Sequence, residues 1–147
     1  MIRSAQIRDA AFLEQLVNDY IAPFYNNTGN LADCWINSSN FKNCFVYEAN
    51  NNIMGLVCVS DKPYKEYIKI STLIVVKEHQ GKGVGSELLN KAFEYFNNSA
   101  KNEISITLNE DFKKEHKFFE SKGFKLKYEL KDKYIIGKSE YVFVKKK

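Results

Sequence analysis

The sequence predicts a mixed α/β (α+β) domain, in which a partly antiparallel sheet of six to seven strands is flanked by helices. Three observations predict it. The first half carries a hairpin signal, with strands at Cys44–Ala49 and Ile53–Ser60 joined by Asn50-Asn51-Asn52. The middle carries an apolar strand, a glycine-rich loop, an amphipathic helix and a further strand, the layout of a right-handed parallel crossover. The length, 147 residues at 44% hydrophobic and 14% aromatic, suits a single core and so a single domain over residues 1–147.

Taken in order, Ile2–Arg8 reads as a first strand. A helix follows with Phe12, Leu16, Val17, Tyr20 and Ile21 on one face and Asp9 as its N-cap. Pro23 and the polar cluster Asn26-Asn27-Thr28-Gly29-Asn30 end that unit. Leu31, Trp35 and Ile36 suggest a second short helix. After the hairpin, Tyr67–Val76 is rich in β-branched residues and reads as a strand. From about Gly83 to Asn97 a helix puts Val84, Leu88, Leu89, Ala92, Phe93 and Phe96 on one face. Glu103–Leu108 alternates as a strand. Phe112–Ser121 is a short helix closed by Gly123, and Phe124–Leu130 and Tyr141–Val144 are closing strands.

Composition excludes several classes. No apolar run reaches the roughly 18 residues of a membrane span, and Met1–Gln6 lacks the apolar stretch of a signal peptide. The expectation is a cytoplasmic protein without a membrane partner, in which the sequons at Asn26, Asn37 and Asn97 are chance. Cys34, Cys44 and Cys58 are odd in number and form no C-x-x-C pair, so free thiols are expected. Two histidines without paired spacing argue against a metal site. Residues 111–147 carry twelve lysines against six acids. That excess reads as a solvated face, and nucleic-acid binding would leave the glycine loop unexplained.

The chemistry lies in Ser71–Ser86, where Gly81, Gly83 and Gly85 stand at alternate positions between strand and helix. Glycines let a ligand approach the backbone, and a helix N-terminus offers free N–H groups, which together suit a pyrophosphate. The nucleotide P-loop pattern fails for want of a Lys-Ser/Thr pair, and the dinucleotide G-x-G-x-x-G spacing is not met. The spacing that fits is Q/R-x-x-G-x-G/A, at Gln80, Gly83 and Gly85.

This segment resembles the acyl-CoA-binding motif of the GNAT superfamily of N-acetyltransferases. Ile7-Arg8 before the first helix, Gly55 in the hairpin, and Phe118–Phe124 ending in Gly-Phe are similar to other parts of that family, over nearly the whole chain. The resemblance implies a splayed central strand pair that admits acetyl-CoA as the acyl donor, with no metal. It places the backbone of Leu73, Ile74 and Val75 along the pantetheine arm. Gln80, Gly81, Lys82, Gly83, Val84, Gly85 and Ser86 would surround the pyrophosphate, with N–H donors from Gly81 to Ser86 and a charge from Lys82. The reaction implied is direct attack of a neutral amine on the thioester.

Two departures stand out. The position of the tyrosine that often protonates the leaving thiolate holds Phe119, and that of a CoA-contacting asparagine holds Phe112; Asn109 could replace part of the latter role. Candidates for the missing acid are His116, Tyr128, Tyr134 and Tyr141. Candidates for the base are Glu66, Glu110 and Asp111, each reading better as a solvated carboxylate. No catalytic side chain is assigned. The expected acceptor is a small-molecule or peptide primary amine, with a homodimer left open. The basic C-terminal third favours an acceptor bearing negative charge, or a nucleic-acid-associated one, over a polyamine. The alternative is a non-catalytic acyl-CoA-binding or sensing domain.

Overall fold

The computed structural model describes residues 1–25 and 29–147. Seven strands form one sheet in the order β1-β2-β3-β4-β5-β7-β6. They are β1 (Ile2–Ser4), β2 (Lys42–Ala49), β3 (Asn52–Ser60), β4 (Tyr67–Val75), β5 (Glu103–Asn109), β6 (Lys125–Lys131) and β7 (Ser139–Lys146). Every neighbouring pair is antiparallel except β4–β5, the predicted parallel crossover. The helices are α1 (Ala10–Leu16), α2 (Leu31–Asn37), α3 (Val84–Asn97) and α4 (Lys113–Ser121). The β2–β3 turn forms where expected, because Asn50 and Asn51 accept positive φ angles of 53° and 63°.

The sheet buries a core on each face. Val57 and Val59 of β3 point to the α3 and α4 side, where α3 inserts Val84, Leu88, Leu89, Ala92 and Phe96. Leu56 and Cys58 alternate to the opposite side, under α1 and α2, with Leu13, Leu16, Val17 and Trp35. Trp35 is therefore a core residue, whereas Phe41 is exposed and meets Tyr64 edge to face. At Gly55 the strand packs closely on its neighbours. A Cβ there would lie 2.6 Å from the Ile74 carbonyl oxygen and 2.8 Å from Leu88 Cδ1.

Several expectations need correction. β1 stops at Ser4, because the chain then turns through Ile7–Asp9. Asp9 does not cap α1 with its side chain. Its carboxylate accepts the Gln6 N–H at 2.8 Å and two Arg3 N–H groups at 2.9 Å, and Arg3 also donates to Glu48. The Arg3 hydrogen bonds hold the Asp9 carboxyl below its ordinary value. The buried face of α1 runs Leu13, Leu16, Val17 and leaves Phe12 exposed, and a π-helical turn at Val17–Ile21 continues the helix. Cys44 and Cys58 are not free thiols. They face each other in the β2–β3 register and are joined as a disulfide, leaving Cys34 free. Phe124 stays in the core ahead of β6, and β7 begins two residues before the expected Tyr141. The expected turn and sequon at Asn26-Asn27-Thr28 lie outside the described residues.

Gly55→Ala should lose about 2 kcal/mol of stability in urea unfolding, because the backbone carbonyl of Ile74 cannot yield cheaply to a new Cβ. A loss within a few tenths would show that β3 and β4 can separate there.

Candidate active site

The site begins where the parallel ladder stops. β4 and β5 pair only through Tyr67–Lys69 and Glu103–Ser105. In the β3–β4 register Cys58 faces Thr72 and Val59 faces Ile70, so Ser71 is an extra, bulged residue; its hydroxyl donates to the Cys58 carbonyl at 3.2 Å. Such a bulge bends its strand. Beyond it, residues 70–75 of β4 and 106–109 of β5 diverge without pairing to each other. The Val76 N–H donates to the Met54 carbonyl on the β3 side. Strand alternation then points the peptide groups of Leu73 and Val75 into the gap and that of Ile74 towards β3. The Ile74 side chain is buried under α1 and α2.

The gap leads to the glycine loop. Gly81 and Gly83 have φ angles of 78° and 85°, and a Cβ on either would meet no atom of the described residues within 4 Å, so the space beside them is open to those residues. Positive φ makes both positions costly for other residues. α3 starts at Val84 with Gly83 as its N-cap and no side-chain cap. The N–H groups of Val84, Gly85 and Ser86 lie in the first turn, where helical geometry supplies no partner. The Val84 side chain anchors the turn in the core. Gly85 serves a different purpose from the other two glycines: a Cβ there would be 3.4 Å from Val75 Cγ2 and 3.7 Å from Phe118 Cζ. Gln80 latches the loop, donating its side-chain amide to the Val75 carbonyl at 3.0 Å. Lys82 is exposed beside the loop.

Asn109 and Phe119 sit inside the protein rather than at an open surface. Phe119 is 2% exposed, edge-on to Phe118 and Phe124. Asn109 ends β5 with its polar atoms engaged: Nδ2 donates to Glu140 at 2.8 Å, Oδ1 accepts the Asp111 N–H at 2.9 Å, and its carbonyl accepts from His116 Nε2 at 2.9 Å.

Glu140, which the sequence reading passed over, is the notable acid of this region. It begins the inward phase of β7 opposite Asn109 and is 1% exposed. One carboxylate oxygen accepts from Asn109 and the other from the Tyr25 hydroxyl at 3.1 Å. Burial pushes its carboxyl above the ordinary 4.5; the two hydrogen bonds oppose this, and Glu110 adds repulsion. Burial and the neighbouring Glu140 likewise push the Tyr25 hydroxyl up. The Tyr25 and Tyr134 rings meet edge to face at 5.4 Å, as do Phe24 and Phe112 at 5.0 Å, which docks the segment after α1 onto the β6–β7 side. Glu140 alternates with Val142 and Val144. A carboxylate in the phase of an apolar strand was the signal available. By contrast, Glu66 is exposed, Asp111 pairs with Lys138, and Glu110 accepts the Ser139 N–H.

The sequence matches the Acetyltransferase (GNAT) family over residues 10–124, and the chain belongs to that family. No curated protein matches it. Among solved structures, the chain is similar to Arabidopsis thaliana NAA60 in complex with acetyl-CoA, at 15% identity and a TM-score of 0.83, covering 99% of this chain and 97% of that one. It is also similar to a variant of the spermidine N-acetyltransferase SpeG from Vibrio cholerae, at 23% identity and TM-score 0.80, covering 99% and 94%. An aminoglycoside 6'-N-acetyltransferase complexed with coenzyme A aligns at 11% identity and TM-score 0.80, covering 99% and 96%. These likenesses establish the fold.

The raised Glu140 carboxyl has a consequence for stability. The native state holds this proton more tightly than the unfolded chain, so stability falls as pH rises from about 4.5 through the native value. Glu140→Gln should flatten that fall in urea unfolding across a pH series. An unchanged slope in the variant would mean that Glu140 titrates normally.

Proposed function

We propose that residues 1–147 act as one N-acetyltransferase domain that moves an acetyl group from acetyl-CoA to a primary amine by direct attack. The observation that carries this reading is the interrupted β4–β5 ladder opening onto the glycine loop at the start of α3. The residues present suit the donor. Leu73 turns its N–H and carbonyl to the gap and Val75 its N–H, the Val75 carbonyl being held by Gln80, and these groups match the amides of a pantetheine arm. Gly81 and Gly83 leave the loop free of side chains, and the N–H groups of Val84, Gly85 and Ser86 suit a pyrophosphate, with Lys82 adding charge. Gln80 holds the loop to β4, and Ile74 anchors the strand. Acetyl-CoA supplies the activated carbonyl.

The chain's own chemistry is proton removal. An ammonium cannot attack until it loses a proton, and a carboxylate with a raised pKa is suited to receive one. Glu140 is covered by Tyr25, so the proton passes through the Tyr25 hydroxyl: Tyr25 takes it from the amine as it gives its own to Glu140. Asn109 fixes the carboxylate for this exchange. Phe119 has no proton to offer, and no donor to the departing thiolate is assigned. That substitution is the observation favouring the second reading, an acyl-CoA-binding module without turnover.

Titration calorimetry with acetyl-CoA, followed by thiol release in the presence of amines, tests both readings. Binding with release supports the enzyme, and binding without release supports the module. Gly83→Val should weaken acetyl-CoA binding at least about tenfold while the domain stays folded by circular dichroism, because a β-branched residue cannot keep the φ of 85°. Affinity equal to that of the unaltered protein would misplace the pyrophosphate. Glu140→Gln should lower kcat about a hundredfold with acetyl-CoA affinity unchanged; full activity in this variant would remove Glu140 from the mechanism.

A further inference from the structure

Among the described residues, the core under α1 and α2 takes side chains from β2, β3 and Ile74 of β4, and none from β5, β6 or β7. Beyond that cover the same face of the sheet forms a cleft of about 70 Å³, whose lining includes Tyr67, Lys69, Ser105, Thr107, Tyr128 and Lys133. It runs along β5 towards Asn109 and Glu140, on the face opposite α3 and α4.

The floor of this cleft is electropositive. The sheet register aligns Lys42, Ser60, Lys69 and Ser105 in one rung, with Lys42 and Lys69 flanking the buried Ser60. Residues directly opposite in neighbouring strands share a face, so both lysines stand on the cleft side. Burial, together with repulsion from Lys133, Lys62 and Lys42, holds the Lys69 ammonium below its ordinary value, against a weaker pull from Glu140. Among the described residues, Lys42, Lys62, Lys69 and Lys133 have no carboxylate within ion-pair distance. The neighbouring acids are already committed: Glu103 at the cleft edge pairs with Lys127 at 3.3 Å, and Asp61 pairs with Lys101 at 2.5 Å.

Lys69 and Lys133 line the cleft, Lys42 and Lys62 add their repulsion at Lys69, and only the distant pull of Glu140 opposes them, an arrangement that is unfavourable unless an anion joins it. We infer that the acceptor is a small amine that also carries an anionic group, carboxylate or phosphate, held by Lys69 and Lys133 while its amine lies towards Tyr25 and Glu140. The inference rests on the acetyltransferase reading of the site and adds its substrate class. The rungs at Ser105 and Asn109 are four residues apart along β5, about 13 Å, which the Lys69 side chain shortens. Several atoms therefore separate amine from anion in a fitting acceptor. A polyamine would set a second ammonium against the lysines. Of the two lysines that would hold the anion, Lys69 lies outside the basic C-terminal third of the sequence and Lys133 within it.

The test compares matched acceptors in a thiol-release assay on the full chain: 5-aminopentanoate, pentylamine and cadaverine, with 3-aminopropyl phosphate as the phosphate arm. One of the two anionic amines should exceed pentylamine in kcat/KM by about tenfold or more, with cadaverine poorest. Whichever anionic amine is preferred identifies the anion. Lys69→Met should remove the preference by raising KM rather than by lowering kcat, and Lys69→Glu should turn it towards cadaverine. Equal or better use of pentylamine or cadaverine by the unaltered protein would overturn the inference, as would a preference that survives Lys69→Met. If acetyl-CoA binds but none of the four turns over, calorimetry of the anionic amines on the CoA-loaded protein decides: binding lost in Lys69→Glu supports the inference, and no binding overturns it. Failure of acetyl-CoA itself to bind would defeat the transferase reading, and this inference with it.

Discussion

The structure depends on an interrupted hydrogen-bond ladder. A parallel strand pair normally continues until one strand ends, because unpaired backbone groups inside a protein are costly. Here β4 and β5 part after three paired residues, at the Ser71 bulge. The surrounding structure keeps the gap open. On one side β3 continues to pair with β4 as far as Val75, with Gly55 allowing the strand and α3 to come close. On the other, β7 pairs with β5 along its whole length. The Gln80 side chain satisfies the Val75 carbonyl at the end of the gap. The remaining peptide groups of Leu73 and Val75 then form a polar edge in an otherwise apolar region. A ligand with its own amides could complete that edge.

The two faces of the sheet divide the chemistry. On the α3 and α4 side, the glycine loop and a helix N-terminus favour negative charge close to the backbone. On the opposite side, buried Glu140 meets the Tyr25 hydroxyl and Asn109, while the Lys69 rung lies further along β5. A buried carboxylate costs stability unless it is hydrogen-bonded, and Glu140 retains a raised pKa despite two bonds. Residues that carry such a cost beside a cleft are candidates for function rather than stability.

Much of this was legible in the sequence. The hairpin, α3 and the glycine loop were readable because each rests on local rules: Asn-rich turns, helical spacing and the φ freedom of glycine. Gly123 likewise holds the expected left-handed cap conformation, with φ of 96°. What escaped depends on contacts far apart in the chain. Asp9 looked like an N-cap, but Arg3 and the Gln6 N–H compete for its carboxylate. Cys44 and Cys58 share no motif and meet only through the β2–β3 register. Glu140 joins Tyr25 across 115 residues and Asn109 across 31, so no local pattern could pair them. The lysine rung is also a property of register, since Lys42 and Lys69 are separated by a whole strand.

The central claim is that the splayed strands and the start of α3 together hold acetyl-CoA. Backbone amide hydrogen exchange with and without acetyl-CoA tests it residue by residue. The account predicts slower exchange at Leu73 and Val75 in the gap and at Val84, Gly85 and Ser86 in the first turn of α3. Ile74, whose peptide group faces β3, should change little. Protection confined to other parts of the sheet, or none at these five amides under saturating acetyl-CoA, would contradict the account.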